Sequence, residues 1–331
     1  MSKFKVSICM ITFNHEKFIG QAIEGVMMQI TDFEYKLIIG EDCSTDKTRQ
    51  ICIDFKEKYP EKIILRLPEK NIGVIPNFIE NLDICSKDYK YTAMCEGDDY
   101  WIDPLKLQKQ INYLENNIEC GLIYTDVKIF DDFNQIFIER LPKFVLEPKE
   151  VVKELLKSKY IEFASIVVKT ELLIKIMRVL KPELKDKIIG DTRLILEFAQ
   201  NSKIGYLPEQ TTVYRIVSGS ASHPKDLNKL IFAVKDTYLS RKTFVLRYNL
   251  QKKLLAIPVC NLNRGLVYQA YSQTNYFKSL KFLSNINISD TIKFCDFKTF
   301  KTKLNLKIWI IFLMSLVGLS CIKNSLKNLN S

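Results

Sequence analysis

The sequence predicts an α/β protein built on a doubly wound, mixed sheet, and two observations carry this prediction. Short apolar runs of the kind that buried parallel strands need alternate with stretches whose apolar residues recur at helical spacing. Polar or acidic clusters follow three of these runs, and ligands of doubly wound sheets bind at the carboxyl ends of the strands. The runs are residues 6–11, 35–40, 63–67 and 91–95, and the clusters are residues 12–15, 41–46 and 96–99.

The helices of the first half are predicted from periodicity and from residues that cap helices. Asn14 is a candidate N-cap for the first helix, and Ser44 or Thr45 for the second. A third helix is predicted over residues 76–86. The pair Asp103-Pro104 is expected to start a fourth, because proline suits the first helical position.

The second half continues the alternation of strands and helices. Strands are predicted at residues 121–130, 136–141, 163–169, 204–207 and 211–216, with helices around 148–158, at 170–180 and from Asp191 onward. The predicted sheet therefore extends well beyond its first four strands.

Charge divides the chain into two predicted domains. The net charge is +11, but residues 1–223 carry 31 Lys and Arg against 34 Asp and Glu, whereas residues 224–331 carry 18 against 4. We expect a near-neutral working domain over residues 1–223 and a basic, mostly helical extension over residues 224–331. Such a basic segment is typical of proteins that meet nucleic acid or an anionic membrane.

The extension contains one apolar segment, residues 308–322, between Lys307 and Lys323. As a helix it would be about 22 Å long, which is short of the roughly 30 Å of hydrocarbon in a bilayer. We favour a helix that lies against the inner leaflet with its lysines near anionic lipid. A span, a helix packed on the catalytic domain and nucleic-acid binding stay open, although no nucleic-acid motif accompanies the charge.

The cysteines and the N-terminus predict a cytoplasmic protein. The nine cysteines are odd in number and include no CxxC pair, so reduced thiols are a better interpretation than disulfides or a zinc site. The start of the chain carries no apolar stretch with a small-residue cleavage site, so no secretory leader is expected.

The sharpest chemical feature is the acidic cluster in the run Glu96-Gly97-Asp98-Asp99-Tyr100-Trp101. Three carboxylates in four residues repel one another unless a cation lies between them. Hard oxygen ligands next to a strand end suit Mn²⁺ or Mg²⁺ holding a diphosphate. Gly97 is expected to let the backbone approach the ligand closely.

The sequence lacks the motifs that are typical of several other enzyme classes. No GxGxxG follows the first strand, and neither a P-loop nor a GxSxG elbow occurs. Only two histidines, His15 and His223, could serve in a hydrolase triad, which makes such a triad a weak hypothesis. His15 is expected to be a surface or capping residue.

Taken together, three ordered motifs resemble the family 2 glycosyltransferases of the GT-A fold. They are Val6-Ser7-Ile8-Cys9-Met10-Ile11-Thr12-Phe13-Asn14, Glu41-Asp42-Cys43-Ser44-Thr45-Asp46 and Glu96-Gly97-Asp98-Asp99-Tyr100-Trp101. The later segment from Ile189-Gly190-Asp191 to Tyr214-Arg215 is similar to the end of the same domain. The resemblance covers about residues 5–222 and implies a Rossmann-like GT-A sheet.

The resemblance also implies site residues. Nucleotide-binding roles fall on Thr12, Asn14, Glu41, Asp42, Asn71, Gly73, Glu96 and Asp98, metal-binding roles on Asp98 and Asp99, and the general base on Asp191. Within this set, Asp42 would accept from the base of the nucleotide. Glu96 stands where aspartate is commoner, and Val217 where the family often has histidine. Arg215 could steady a phosphate or pair with a nearby acid.

The residue types fit one mechanism. A metal can stabilise the departing nucleoside diphosphate, and a carboxylate can deprotonate the incoming hydroxyl. One base without a covalent nucleophile implies inversion, and Asp191 suits that base, although a helix N-cap explains it equally well. We therefore expect an inverting, metal-dependent enzyme of the hexosyltransferase type.

The expected substrates are a nucleotide-diphosphate sugar, with UDP as the favoured nucleotide, and a glycan or lipid-linked saccharide of surface polysaccharide synthesis. The basic extension would hold the enzyme at the inner face of the plasma membrane, and no nucleic-acid partner is expected. A nucleotide-sugar-binding protein without catalysis and a sugar-phosphate nucleotidylyltransferase are the alternatives.

Overall fold

The computed structural model describes residues 5–138, 150–156, 161–184, 191–220, 226–251 and 254. The chain divides into two compact units, Met1–Pro224 and Lys225–Ser331. The first unit contains nine strands among its described residues: β1 (Lys5–Thr12), β2 (Glu34–Glu41), β3 (Ile63–Arg66), β4 (Tyr91–Met94), β5 (Tyr100–Trp101), β6 (Cys120–Asp131), β7 (Ile136–Ile138), β8 (Val167–Lys169) and β9 (Lys203–Ile216). Its helices are α1 (Ile19–Met27), α2 (Thr48–Lys58), α3 (Val74–Cys85), α4 (Lys106–Asn116), α5 (Val151–Leu156), α6 (Thr170–Leu184) and α7 (Asp191–Asn201).

The nine strands form one mixed sheet, which confirms the predicted α/β class. The strand order is β3-β2-β1-β4-β8-β6-β9-β5, with β7 paired to β6. β3, β2, β1 and β4 are parallel to one another, whereas β8 is antiparallel to both β4 and β6. The chain winds from β1 outward to β2 and β3 and then returns to β4 on the other side of β1. This reversal opens a crevice at the carboxyl ends of β1 and β4.

The core lies on both faces of the parallel strands. Six of the eight residues of β1 are buried, because helices cover the sheet on both sides. α1 buries Ile19, Ala22, Ile23 and Val26, which recur at helical spacing. α1 also approaches β5 closely, since a Cβ on Gly25 would lie 2.8 Å from the carbonyl oxygen of Trp101.

The predicted N-caps of the first two helices are wrong. α1 begins at Ile19 and α2 at Thr48, several residues after Asn14 and after Ser44 and Thr45. The side-chain oxygen of Asn14 instead accepts from the backbone N–H of Thr45 at 2.9 Å, and Ser44 Oγ accepts from the N–H of Asn14 at 2.9 Å. These polar groups therefore link two loops rather than cap helices.

Several other elements differ from their predictions. α4 begins at Lys106, because residues 103–105 form a turn in which Asp103 Oδ1 accepts from the N–H of Leu105. The strand predicted over residues 163–169 is a 3₁₀ turn, Phe163–Ser165, followed by β8. The two strands predicted between residues 204 and 216 are one strand, β9, whose pairing with β6 is interrupted by register shifts. The short strand β5 was not predicted.

The second unit is described only in part. It contains the helix α8, Leu227–Arg247, whose N-cap Asp226 accepts from the N–H of Lys229. The predicted apolar segment 308–322 and His223 lie outside the described residues. Within the described part of the chain, no helix has the length and apolarity that a membrane crossing requires.

Candidate active site

A cavity of about 540 Å³ opens at the carboxyl ends of the parallel strands of the first unit. Nine of the ten predicted site residues line it: Thr12, Asn14, Asp42, Asn71, Gly73, Glu96, Asp98, Asp99 and Asp191. Residues from five separated segments of the chain thus meet in one cavity, as expected for the switch point of a doubly wound sheet. Five of these residues are carboxylic acids.

One part of the cavity is shaped by Asp42, which follows β2. Its two carboxylate oxygens accept from the backbone N–H groups of Ile72 and Gly73, each at 2.9 Å, and Asn71 Nδ2 donates to its carbonyl at 2.9 Å. Gly73 has a φ of 90°, which favours glycine. Asp42 therefore fixes the turn of residues 71–73, and its carboxylate keeps unused lone pairs with which it can accept further hydrogen bonds.

Glu41 does not line the cavity. Its buried carboxylate pairs with Arg49 at 2.5 Å and accepts from the N–H of Ser44 at 2.6 Å. Consecutive residues at the end of a strand point to opposite faces, so Asp42 faces the cavity and Glu41 faces α2. The geometry gives Glu41 a role in positioning the loop after β2.

The loop after β4 that carries Glu96, Asp98 and Asp99, here called the acidic loop, packs against the end of β1. The N–H of Gly97 donates to the carbonyl of Ile11 at 3.0 Å. A Cβ on Gly97 would lie 2.7 Å from Thr12 Cβ and 3.0 Å from His15 Nδ1. Gly97 therefore permits a close approach of the acidic loop to Thr12 and His15.

His15 is a cavity residue that the sequence did not predict for this site. Its Nε2 lies 4.0 Å from Asp98 Oδ2, and its Nδ1 is buried without a hydrogen-bond partner in the described structure. A single histidine in a loop has no local signature. Its approach to Asp98 is created by the packing of Gly97.

The charge of the acidic loop is concentrated and partly desolvated. Burial, followed by the charge of Asp98, raises the pKa of Glu96 and the pKa of Asp99 well above their usual values. The charge of Asp191 also raises the pKa of Glu96, so these acids lie within electrostatic reach of one another. Glu96 Oε2 is buried without a hydrogen-bond partner in the described structure. A cation would relieve this repulsion.

Arg215 of β9 binds the acidic loop from the side. Its backbone N–H donates to Asp99 Oδ1 and its guanidinium donates to the carbonyl of Asp98, both at 2.8 Å. The guanidinium also donates to Gln21 and stacks 4.3 Å from the ring of Tyr100. The guanidinium thus bonds to the backbone of the acidic loop rather than to a carboxylate, and Arg215 also lines the cavity, so its predicted role at a phosphate stays a prediction.

Asp191 is the first residue of α7 and also lines the cavity. Its Oδ1 accepts from the N–H of Thr192 at 2.5 Å. As the first residue of α7, Asp191 can place a negative charge at the helix start and still face the cavity.

The donor set of the acidic loop fits a hard divalent cation. Asp98 presents a carboxylate to the cavity, and Asp99 has one carboxylate oxygen that is not bonded to the N–H of Arg215. No group of three or more His, Cys, Asp or Glu side chains within the described ranges is arranged to hold a metal ion by itself. Mg²⁺ is usually bound by one or two carboxylates together with substrate phosphates, so a diphosphate would complete the coordination.

Comparisons with known proteins match the first unit to one family. Residues 7–169 match the family model described as glycosyl transferase family 2. A protein of Mycobacterium tuberculosis is 40% identical over 124 residues, which are 38% of this chain and 35% of that protein. A glycosyltransferase of Methanocaldococcus jannaschii is 29% identical over 178 residues, which are 53% of this chain and 59% of that protein. The chain thus spans less than two thirds of these relatives.

Solved structures share the fold at low sequence identity. S. aureus TarS in complex with UDP-GlcNAc superposes with a TM-score of 0.57 at 16% identity, over 85% of this chain and 80% of that chain. The mannosyltransferase PcManGT of Pyrobaculum calidifontis, in complex with GDP-Man and Mn²⁺, gives a TM-score of 0.54 at 12% identity, over 94% and 86% of the two chains. These likenesses confirm the predicted GT-A fold.

Proposed function

Because the chain belongs, through residues 7–169, to glycosyl transferase family 2, we propose that it transfers a sugar from a nucleoside-diphosphate donor to a saccharide acceptor with inversion. The observation that carries the proposal is the meeting of Asp42, Asp98 and Asp191 in one cavity. These residues supply an acceptor for a nucleobase, an anchor for a cation and a base.

The reaction is a single displacement. The acceptor hydroxyl oxygen forms a bond to the anomeric carbon while the bond from that carbon to the β-phosphate oxygen breaks. Asp191 takes the hydroxyl proton, and the nucleoside diphosphate leaves with the bonding pair. Asp98 and Asp99 would hold Mn²⁺ or Mg²⁺, which when bound neutralises the charge of the leaving diphosphate.

The donor proposal draws on known proteins as well as on the cavity. TarS was solved with UDP-GlcNAc and PcManGT with GDP-Man and Mn²⁺, and RfbG of Shigella flexneri, 33% identical over 115 residues, is a dTDP-rhamnosyl transferase. We favour a UDP-sugar donor. Because three different nucleotides occur among these three proteins, the binding test should include UDP, GDP and dTDP sugars.

The acceptor proposal draws on charge. Residues 224–331 carry 18 Lys and Arg against 4 Asp and Glu. Such a segment suits the cytoplasmic face of a membrane, where a lipid-linked saccharide of surface polysaccharide synthesis would be elongated. Removal of residues 304–331 should weaken binding to vesicles that contain anionic lipid, and unchanged binding would refute this part of the proposal.

The test is binding followed by turnover. The full chain is heated with UDP-glucose, UDP-GlcNAc, GDP-mannose and dTDP-rhamnose, each with and without Mn²⁺. A donor that binds the folded state raises the melting temperature. Release of nucleoside diphosphate from the bound donor supports catalysis. Binding without release in the presence of Mn²⁺ would favour the alternative of a binding protein, and no binding would refute the proposal. A nucleotidylyltransferase would instead form nucleotide sugar from a sugar phosphate and a nucleoside triphosphate.

A further inference from the structure

An aromatic pair forms a wall of the same cavity. Phe78 of α3 and Phe163 of the 3₁₀ turn lie edge to face, with ring centroids 5.7 Å apart and an angle of 63° between the ring planes. Both line the cavity, together with Val74 and Ile75. Phe78 is buried, whereas Phe163 is partly exposed between residues that are buried.

The wall offers apolar surface rather than hydrogen-bonding groups. Asn77 is the polar residue on this turn of α3, and both ends of its amide are engaged. Its Nδ2 donates to the carbonyl of Gly40 at 2.9 Å, and its Oδ1 accepts from Arg66. Ligand contacts on this wall would therefore be made by carbon atoms.

Side chains that follow the acidic loop in the sequence hold the turn that carries Phe163. Trp101 Nε1 donates to the carbonyl of Ala164 at 2.9 Å. Lys106 Nζ and Gln110 Nε2 donate to the carbonyl of Ser165 at 3.3 and 2.9 Å. Lys106 is fully buried, with its ammonium group 4.3 Å from the ring of Trp101. Such a buried network holds the backbone of the turn in one conformation.

The turn also lies next to the acids. The N–H of Met94, two residues before Glu96, donates to the carbonyl of Ile166 at 3.2 Å. In the proposed reaction the anomeric carbon would lie between the diphosphate, whose cation Asp98 would bind, and Asp191. Phe163 lines the same cavity as both of these acids, so the sugar ring bonded to that carbon would lie within the space that Phe163 helps to enclose.

We propose that Phe163 is a specificity-determining residue that contacts the non-polar C–H surface of the donor's sugar, and that Trp101 and Lys106 are positioning residues that hold it there. This inference rests on the proposed function. It assigns the aromatic pair to the sugar and not to the nucleotide. Ligand sites commonly combine such apolar walls with a few polar groups that fix orientation.

The test compares each nucleotide sugar with its own nucleoside diphosphate. Titration calorimetry with Mn²⁺ uses the donor of the panel that stabilises the wild type most, and then its parent diphosphate. Phe163→Ala should weaken binding of the nucleotide sugar by about tenfold and leave the diphosphate within about twofold. Lys106→Met should change the same ratio in the same direction. Phe133→Ala, at an 81% exposed position outside the cavity, should change neither affinity.

The outcomes separate the inference from the proposed function. Equal losses for both ligands, or no loss for either, would overturn the assignment of Phe163 to the sugar. A wild type that binds neither ligand would overturn the proposed function as well. If Phe163→Ala does not fold, Phe163→Leu keeps most of the volume without the ring and should shift the same ratio by a smaller factor.

Discussion

The backbone amide of Arg215 donates a 2.8 Å hydrogen bond to the carboxylate of Asp99, although 116 positions separate the two residues. This bond ties the end of β9 to the acidic loop and engages one oxygen of Asp99. The carboxylate of Asp98 instead faces the cavity, 4.0 Å from His15 Nε2. The two neighbouring acids therefore differ in how much of their charge is available to a ligand.

Substitution of these acids should separate metal binding from stability. Asp98→Asn should weaken Mn²⁺-dependent binding of a nucleoside diphosphate at least about tenfold, because it removes a charged ligand but keeps the side-chain shape. Asp99→Ala should in addition lower the unfolding free energy by about 1–3 kcal/mol, because the buried N–H of Arg215 loses its acceptor. Calorimetry and urea unfolding measure the two effects. Equal Mn²⁺ dependence in wild type and Asp98→Asn would contradict the metal assignment.

Asp191→Asn should lower turnover by about 10²–10⁴-fold, since an amide cannot take the proton of the acceptor hydroxyl. Donor affinity should stay close to that of the wild type, and the amide oxygen can still accept from the N–H of Thr192. The release of nucleoside diphosphate is measured beside a binding titration. Turnover at the wild-type rate would remove Asp191 from the mechanism.

Gly97→Ala should destabilise the protein by about 1–3 kcal/mol, because the new methyl group would lie 2.7 Å from Thr12 Cβ. The displaced loop should also bind nucleotide more weakly. Gly20→Ala is the matched control, since the nearest atom to its new methyl group would be a ring carbon of Phe55 at 3.8 Å. That control should be neutral or stabilising by up to about 1 kcal/mol. Equal stability of the two variants would mean that Gly97 is not closely packed.

Lys106 should make stability depend on pH above neutrality. Burial lowers the pKa of Lys106 to about 7 from its ordinary value of 10.5. Between these values the unfolded chain binds more protons than the folded chain, so the contribution of Lys106 to the unfolding free energy rises with pH. The unfolding free energy of the wild type minus that of Lys106→Met should therefore increase by up to about 1.4 kcal/mol per pH unit between pH 7 and pH 10.

Urea unfolding at pH 7, 8, 9 and 10 measures this difference. Lys109→Met is the control, because a hydrogen bond to Asp103 raises the pKa of Lys109 instead. That control should show no such increase in this range. A difference between wild type and Lys106→Met that is constant with pH would mean that Lys106 keeps its proton when folded.

The sequence predicted the sheet well because buried strands and amphipathic helices leave local patterns. The four parallel strands and most helices fall within a few residues of their predicted bounds. β5 was missed because two residues carry no periodicity. The N-cap predictions for Asn14 and Ser44 failed because each side chain bonds to the loop that contains the other, about 30 residues away along the chain.

The candidate site was predictable where a motif follows a strand, since the strand ends of one sheet edge must meet. Glu41 and His15 mark the limits of that reasoning. Glu41 was grouped with Asp42, but successive side chains point to opposite faces, and the carboxylate of Glu41 pairs with Arg49 instead. His15 was expected to be a surface or capping residue, and only the packing of Gly97 against it reveals its place beside Asp98. Phe163 belongs to the same class, because its position depends on Trp101 and Lys106.

The central claim is that the acidic loop holds a divalent cation on the diphosphate of a bound nucleotide. Anomalous diffraction from crystals grown with Mn²⁺ and a nucleoside diphosphate tests it most directly. The account predicts a Mn²⁺ peak about 2 Å from a carboxylate oxygen of Asp98 and from phosphate oxygens of the nucleotide. A nucleotide bound in the cavity with Mn²⁺ absent or bound elsewhere would contradict it.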